Sequence, residues 1–337
     1  MAKRDIVVVG ASAGGIEAIT RVLGGARSAE AAFVVVVHLA AHARTVLPEI
    51  VTRATGLPAH LAGDGEALVP GTVLIAPPGR HTLVCRGTVA VVNGPRENRA
   101  RPAIDPLFRS AAAAYGPRVI AVALSGVLDD GTAGASAVRR NGGLVVVQSP
   151  DDALFADIPL NIIEHVGADH VLSSDDIGPL LLTLSEEEVE DQMAADEIPD
   201  PALADQDALL RQAERGAITH FTCPECSGTL WEVDEHGVPR YRCRVGHVYS
   251  PEALRAAQAD GVETALWVAM RALEEQAGLT RRTADRSRAL NTPSVASRFD
   301  QRAEEIQARI HVIRELLDQL AAIREADTAA ATASRSA

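Results

Sequence analysis

Ser12, His38 and Asp130 are the residues of this chain whose types, taken together, can carry out acyl chemistry. Ser12 stands in Gly10-Ala11-Ser12-Ala13-Gly14-Gly15, directly after the β-branched run at 6–9. His38 ends the run Phe33-Val34-Val35-Val36-Val37, and Asp130 lies in Ser125-Gly126-Val127-Leu128-Asp129-Asp130-Gly131, behind the run at 119–124. A serine hydroxyl becomes a nucleophile when a base takes its proton, and an imidazole serves as that base when a carboxylate fixes its tautomer. The order Ser, His, Asp differs from that of α/β-hydrolases, which geometry permits. Each residue also has a plainer reading. The glycine-rich turn is equally a phosphate-cradling loop or an inert turn, His38 a strand end, and Asp130 a cap. The dinucleotide fingerprint, however, wants glycine where Ser12 stands, and the P-loop's Gly-Lys-Ser/Thr is missing.

The elements that must position these residues follow from apolar rhythm. Runs at 6–9, 33–37, 72–75, 89–92, 119–124, 144–147 and 170–172 alternate with Ala-rich helical stretches. Several are apolar at consecutive positions, which suits parallel strands covered on both faces. The alternation predicts a doubly wound, mostly parallel α/β sheet with helices on both faces over 1–184. Such sheets place ligands outside the carboxyl ends of their strands, where Ser12, His38 and Asp130 all fall.

Beyond 184 the character changes. Residues 185–216 are acidic and carry prolines at 199 and 201, the signature of a solvated linker. Within 217–257, Cys223-Pro224-Glu225-Cys226 and Cys243-Arg244-Val245-Gly246-His247 form a C-x2-C…C-x3-H pattern. Three thiolates and one imidazole close a tetrahedral zinc site and leave no open position, so the expected role is structural. His220 and His236 are alternatives to His247, and four unliganded side chains are the plainer reading. About 40 residues bury too little apolar surface to fold unaided, which favours the metal. The serine-centred triad is complete without it, so no cofactor is expected in catalysis. Cys85, alone in a strand at 82–85, reads as an ordinary buried cysteine. Residues 258–326 read as a helical hairpin broken at Asn291-Thr292-Pro293-Ser294; Ile306, Ile310, Ile313, Leu317 and Leu320 stripe its second arm. That stripe suits an intramolecular hairpin or a homodimer contact, and 327–337 reads as a disordered tail.

Composition narrows the function. A formal charge of −13 over 337 residues argues against general nucleic-acid binding. No apolar run reaches the roughly 18 residues of a membrane span, and 1–5 lead straight into a strand without a signal-peptide core. Four cysteines and no export signal suggest the reducing cytoplasm.

The segments around Ser12, His38 and Asp130 resemble the catalytic domain of the chemotaxis (CheB-type) protein-glutamate methylesterases. So do the stretches at 70–81, 98–108 and 147–155, in the family's order. The resemblance implies Ser12 as nucleophile, His38 as general base and Asp130, the aspartate directly before glycine, as its orienting carboxylate. It implies an oxyanion hole from the backbone N–H groups of Ala13 and Val127, where the family usually carries threonine and methionine. It also implies hydrolysis of glutamate γ-methyl esters on methyl-accepting chemoreceptors, with glutamine deamidation as a companion activity. A serine esterase for another acyl group and a non-catalytic sensory adaptor would share the same residues. Family members usually carry an N-terminal receiver domain, whereas this sequence begins at the catalytic domain, so control by another route or none is expected. Arg99 and Arg101, in the Gly/Pro/Asn/Arg-rich loop at 93–102, are either solvated or bind the acidic receptor surface; Asp105 is expected to cap the helix that follows.

Overall fold

The computed structural model describes residues 1–41, 45–191, 216–235 and 237–333. In chain order the elements are β1 (Ala2–Lys3), β2 (Ile6–Ala11), α1 (Gly15–Gly25), β3 (Ala32–Val37), α2 (Leu47–Thr55), β4 (Ala59–Leu61), β5 (Val73–Ile75), β6 (His81–Val84) and β7 (Val89–Val92). They continue as α3 (Ile104–Tyr115), β8 (Val119–Ala123), α4 (Thr132–Arg140), β9 (Leu144–Gln148), α5 (Asp157–His165), β10 (His170–Leu172), α6 (Ser174–Ser185) and β11 (Glu188–Val189). The C-terminal part holds β12 (Ala217–Thr222), β13 (Thr229–Glu235), β14 (Val238–Cys243), β15 (Val248–Tyr249), α7 (Pro251–Ala289) and α8 (Pro293–Ala333).

Seven strands form one parallel sheet in the order β10-β9-β8-β2-β3-β5-β4. The consecutive apolar positions divide between its two faces. Val8, Val34 and Val36 meet Ile104, Phe108 and Ile158 of α3 and α5 on one side. Val7, Val9, Phe33 and Val35 meet Ile19, Leu23, Val51 and Ile177 of α1, α2 and α6 on the other. Since successive side chains of a strand point to opposite faces, a strand between two helical layers must be apolar at every position. The chain leaves β2 toward β3 on one flank and returns through β8 on the other, and ligands collect at such a switch point.

The run at 89–92 is not part of this sheet; β7 pairs antiparallel with β6 in a separate hairpin. Cys85, just past β6, is half-buried. The start of the expected linker is ordered, for β11 pairs with β1, while residues 192–215 lie outside the described ones. The strands β12 to β15 make an antiparallel sheet. The helix α7 begins at Pro251, so no boundary falls at 257, and α8 runs to Ala333, past the tail expected from 327. The chain divides into compact units at 1–254 and 255–337, which places the cysteine-bearing module in one unit with the α/β domain. Within the second unit Met270 and Ala277 of α7 pack on Ile306, Ile310 and Leu317 of α8. No helix among the described residues is long and apolar enough to cross a membrane.

Candidate active site

Strand register brings the polar residues together. The strands β2 and β3 pair up to Ala11 and Val37, so Ser12 and His38 are the next residues on neighbouring strands; the His38 N–H donates to the Ala11 carbonyl (3.3 Å). On the other flank Gly10 pairs with Ala123 of β8, which launches the loop carrying Asp130. Ser12 is held from behind: its N–H donates to the Ser125 carbonyl (2.9 Å), and Ser125 Oγ donates to the Ala13 carbonyl (2.8 Å). Gly126 is required here because a Cβ would lie 2.8 Å from Ser12 Cβ and closer still to Ile158. Gly14, with φ of 73°, turns the chain from Ser12 into α1.

Asp130 Oδ2 accepts from His38 Nε2 (2.7 Å) and from the Ile104 N–H (2.7 Å). Its Oδ1 accepts from Asn98 Nδ2 (3.0 Å) and the Asp105 N–H (3.3 Å). Burial opposes the charge of this carboxylate, yet the hydrogen bond and charge of His38, with those of Ile104 and Asn98, hold its pKa well below the usual range. An ionised carboxylate only accepts, so Nε2 carries the ring proton and Nδ1 of the neutral ring keeps its lone pair. Ser12 and His38 line one cavity of about 510 Å³ with Gly14 and Leu154, without a direct hydrogen bond between them. Apo triads are often this loose. The N–H groups of Ala13 and Val127 have no hydrogen-bond partner among the described residues.

A second cavity, about 470 Å³, opens on the other side of His38 and is lined by Asp130, Val127, Arg96, Arg99 and Arg101. Arg99 is exposed, whereas Arg101 Nη1 donates to the Gly94 carbonyl (2.6 Å) and so braces its own loop.

Asp105 does not cap its own helix, whose N-cap is Ala103. Its Oδ1 instead accepts from the Gly131 and Gly134 N–H groups (3.1 and 2.7 Å), capping α4 and fixing the loop that carries Asp130. Burial raises its pKa to about 7 against the pull of Arg240. Sequence reasoning missed Asn98, Arg240 and Ser250. Asn98 Nδ2 bridges Asp130 and Asp105 (3.0 and 2.9 Å), and its Oδ1 accepts from the Ser250 N–H (3.0 Å). Arg240 Nη2, fully buried, lies 2.8 Å from Asp105 Oδ2, paired by charge without an aligned hydrogen bond. Buried polar groups on both sides of the contact between module and domain need partners, and each side supplies the other's.

Cys223, Cys226, Cys243 and His247 offer ligand atoms within 4.8 Å of one another and can hold a metal ion. His247 Nδ1 is 3.6 Å from Cys223 Sγ and 3.5 Å from Cys243 Sγ, and the Cys226 and Cys243 sulfurs are 3.6 Å apart. Around a tetrahedral zinc, with bonds of about 2.3 Å to sulfur and 2.0 Å to nitrogen, ligand atoms stand roughly 3.5–3.8 Å apart. The donor set fits. Glu225 lies 3.4 Å from His247 Nε2, where it orients the ring for a ligand at Nδ1. His220 is not among the four, and His236 lies outside the described residues.

A serine at the switch point of a parallel sheet thus stands beside a His–Asp pair at the ends of neighbouring strands, the set of groups that serine-centred acyl chemistry uses. The chain belongs to the CheB methylesterase family, whose model matches residues 7–181. It is 37% identical over 195 residues to "Protein-glutamate methylesterase/protein-glutamine glutaminase 4" of Anaeromyxobacter dehalogenans, covering 54% of this chain and 52% of that one. A similarly named protein of Paramagnetospirillum magneticum is 40% identical over 161 residues, 46% of this chain and 42% of the other. The chain therefore spans about half the length of the curated relatives it matches. Among solved structures, the Thermotoga maritima CheB methylesterase catalytic domain superposes with a TM-score of 0.52 at 32% identity, over 55% of this chain and 99% of that domain.

Proposed function

We propose that this chain is a protein-glutamate methylesterase acting in the cytoplasm on methyl-accepting chemoreceptors. The observation that carries the reading is the His38–Asp130 pair at 2.7 Å beside Ser12. Ser12 Oγ attacks the γ-ester carbonyl while His38 Nδ1 takes its proton. The N–H groups of Ala13 and Val127 receive the tetrahedral oxyanion. His38 returns the proton to the leaving methoxide, methanol departs, and water, deprotonated by the same imidazole, hydrolyses the acyl-enzyme to free glutamate. Glutamine, whose side-chain carbonyl stands at the same position as the ester's, would release ammonia by the same steps. Arg99 and Arg101, lining the cavity beside His38, favour an acidic receptor surface. In the Cys223/Cys226/Cys243/His247 site we assign zinc, which supplies no chemistry to the ester. Val312, Leu316 and Ile323, exposed on α8, favour a homodimer contact through the C-terminal helices. The test is methanol release from a methylated receptor fragment, wild type against Ser12→Ala. Release by wild type alone supports the reading. Equal rates overturn the mechanism, and no release from wild type favours another acyl substrate or a non-catalytic adaptor.

A further inference from the structure

Asp130 sits at the end of two chains of buried contacts that both begin in the Cys/His module. The first runs through Asn98. This residue holds a left-handed backbone (φ of 47°) that side chains seldom adopt, and the module pins it there. Its N–H donates to the Val248 carbonyl (2.8 Å) and its Oδ1 accepts from the Ser250 N–H (3.0 Å), which leaves Nδ2 aimed at Asp130 and Asp105. Ser250 Oγ also donates to Asp129 Oδ1 (2.6 Å), next to Asp130 in the chain.

The second runs through Asp105. Glu97, Asp105, Asp129 and Asp130 are all buried in one region. The domain's own buried cation, Arg109, is engaged by both oxygens of Glu97 (2.8 and 3.0 Å). Arg240 from the module supplies the charge that Asp105 faces at 2.8 Å, with Glu97 and Glu235 at 3.8 and 3.7 Å. A buried carboxylate without a cation takes up a proton or repels its neighbours. A protonated Asp105 would keep a weaker hold on the N–H groups of Gly131 and Gly134, the two that fix the loop carrying Asp130.

We propose that the Cys/His module is a working part of the esterase centre. Arg240 and Ser250 are positioning residues that hold Asp130 in register with His38 by way of Asp105, Asn98 and Asp129, and metal loading of the module thereby sets turnover. The link to the metal is short. Arg240 lies on β14 just before the ligand Cys243, and Val248 to Ser250 follow the ligand His247 directly. The Cys243 N–H donates to the His247 carbonyl (3.0 Å), so a metal that fixes both ligands fixes the two segments that reach Asp130.

The activity arm of the test rests on the proposed esterase function; a second arm does not. The full chain is compared zinc-loaded, chelated, and as Arg240→Met, Arg240→Lys and Ser250→Ala. The first measurement is kcat and KM for methanol release. The second is the downfield proton resonance of the His38–Asp130 hydrogen bond, assigned with His38→Gln, which needs no substrate. Chelation and Arg240→Met are expected to lower kcat by about 10- to 100-fold with KM held, as supporting contacts around a site typically do, and to shift or broaden the resonance. Readdition of Zn²⁺, and Arg240→Lys, restore both, and Ser250→Ala falls between. Asp105 is faced by Arg240, Asp130, Arg109 and Glu97. Loss of the Arg240 charge lets it keep its proton to higher pH, so the acid limb of kcat/KM moves upward in Arg240→Met. Should Arg240→Met fail to fold, Ser250→Ala and the chelated wild type decide. An unchanged resonance and unchanged kcat on chelation overturn the proposal. If no form releases methanol, the esterase reading fails and the resonance alone decides: a shift on chelation upholds the coupling, its constancy refutes it.

Discussion

The α/β domain and the Cys/His module achieve burial by opposite means. Between its helical layers the domain buries Val, Ile, Leu, Phe and Ala on both faces of one sheet. The module has a small apolar interior, Leu230, Val248 and Tyr249 among it, and meets the domain through Arg240 and Ser250 against buried acids. Apolar burial is non-directional, so a lost methyl group costs in proportion to the cavity left behind. A buried ionic network is all-or-nothing, since removing one partner strands a charge. The domain should therefore degrade gradually and the module abruptly.

The largest expected effect tests the domain's chemistry apart from its fold. Ser12→Ala should lower methanol release by up to about 10⁶-fold, with an unchanged unfolding midpoint because Ser12 only lines a cavity; a matching loss of stability would contradict this. Asp130→Asn should follow, with kcat down on the order of 10⁴-fold through the wrong imidazole tautomer. It also has a sign in pH. The folded carboxyl titrates far below its ordinary value of 3.8, so its stabilisation is present above that pH and is lost as pH falls below it. Denaturant midpoints of wild type and Asp130→Asn should thus differ most near neutrality and converge in acid.

Cys226→Ser probes the abrupt side. Bound zinc should fall from about one equivalent to none, and hydrogen exchange should accelerate across 216–250 while β2, β3 and β8 stay protected. Retained zinc would remove the cysteine from the ligand set. Leu23→Ala, in the apolar layer beneath α1, probes the gradual side, with an expected loss of about 2–5 kcal/mol by denaturant titration and kcat preserved. Smallest of these, Gly126→Ala should cost about 1–3 kcal/mol from overpacking and also lower kcat, because the added Cβ presses on Ser12.

Much of the sheet was legible because its signal is local. Runs apolar at every position marked strands covered on both faces, and six of the seven expected runs joined the central sheet. The run at 89–92 went instead to a hairpin, since a four-residue apolar stretch looks the same in either setting. The short strands β1, β4 and β11 were missed, having too few residues to show a pattern. Asp105 was read as a cap and is one, for a different helix: sequence shows a capping residue type, and packing chooses which N–H groups it meets.

What the sequence determined by itself were features whose cause lies within a few residues: the strand ends behind which Ser12, His38 and Asp130 follow, the Cys/His spacing of Cys223, Cys226, Cys243 and His247, and the stripe on α8. Only the tertiary structure decided that Arg240 faces Asp105 and that Ser250 caps the contact to Asn98 and Asp129. These groups are distant along the chain and unremarkable in it. A buried charge acquires its meaning from what surrounds it, and no local pattern records a partner brought in by the fold.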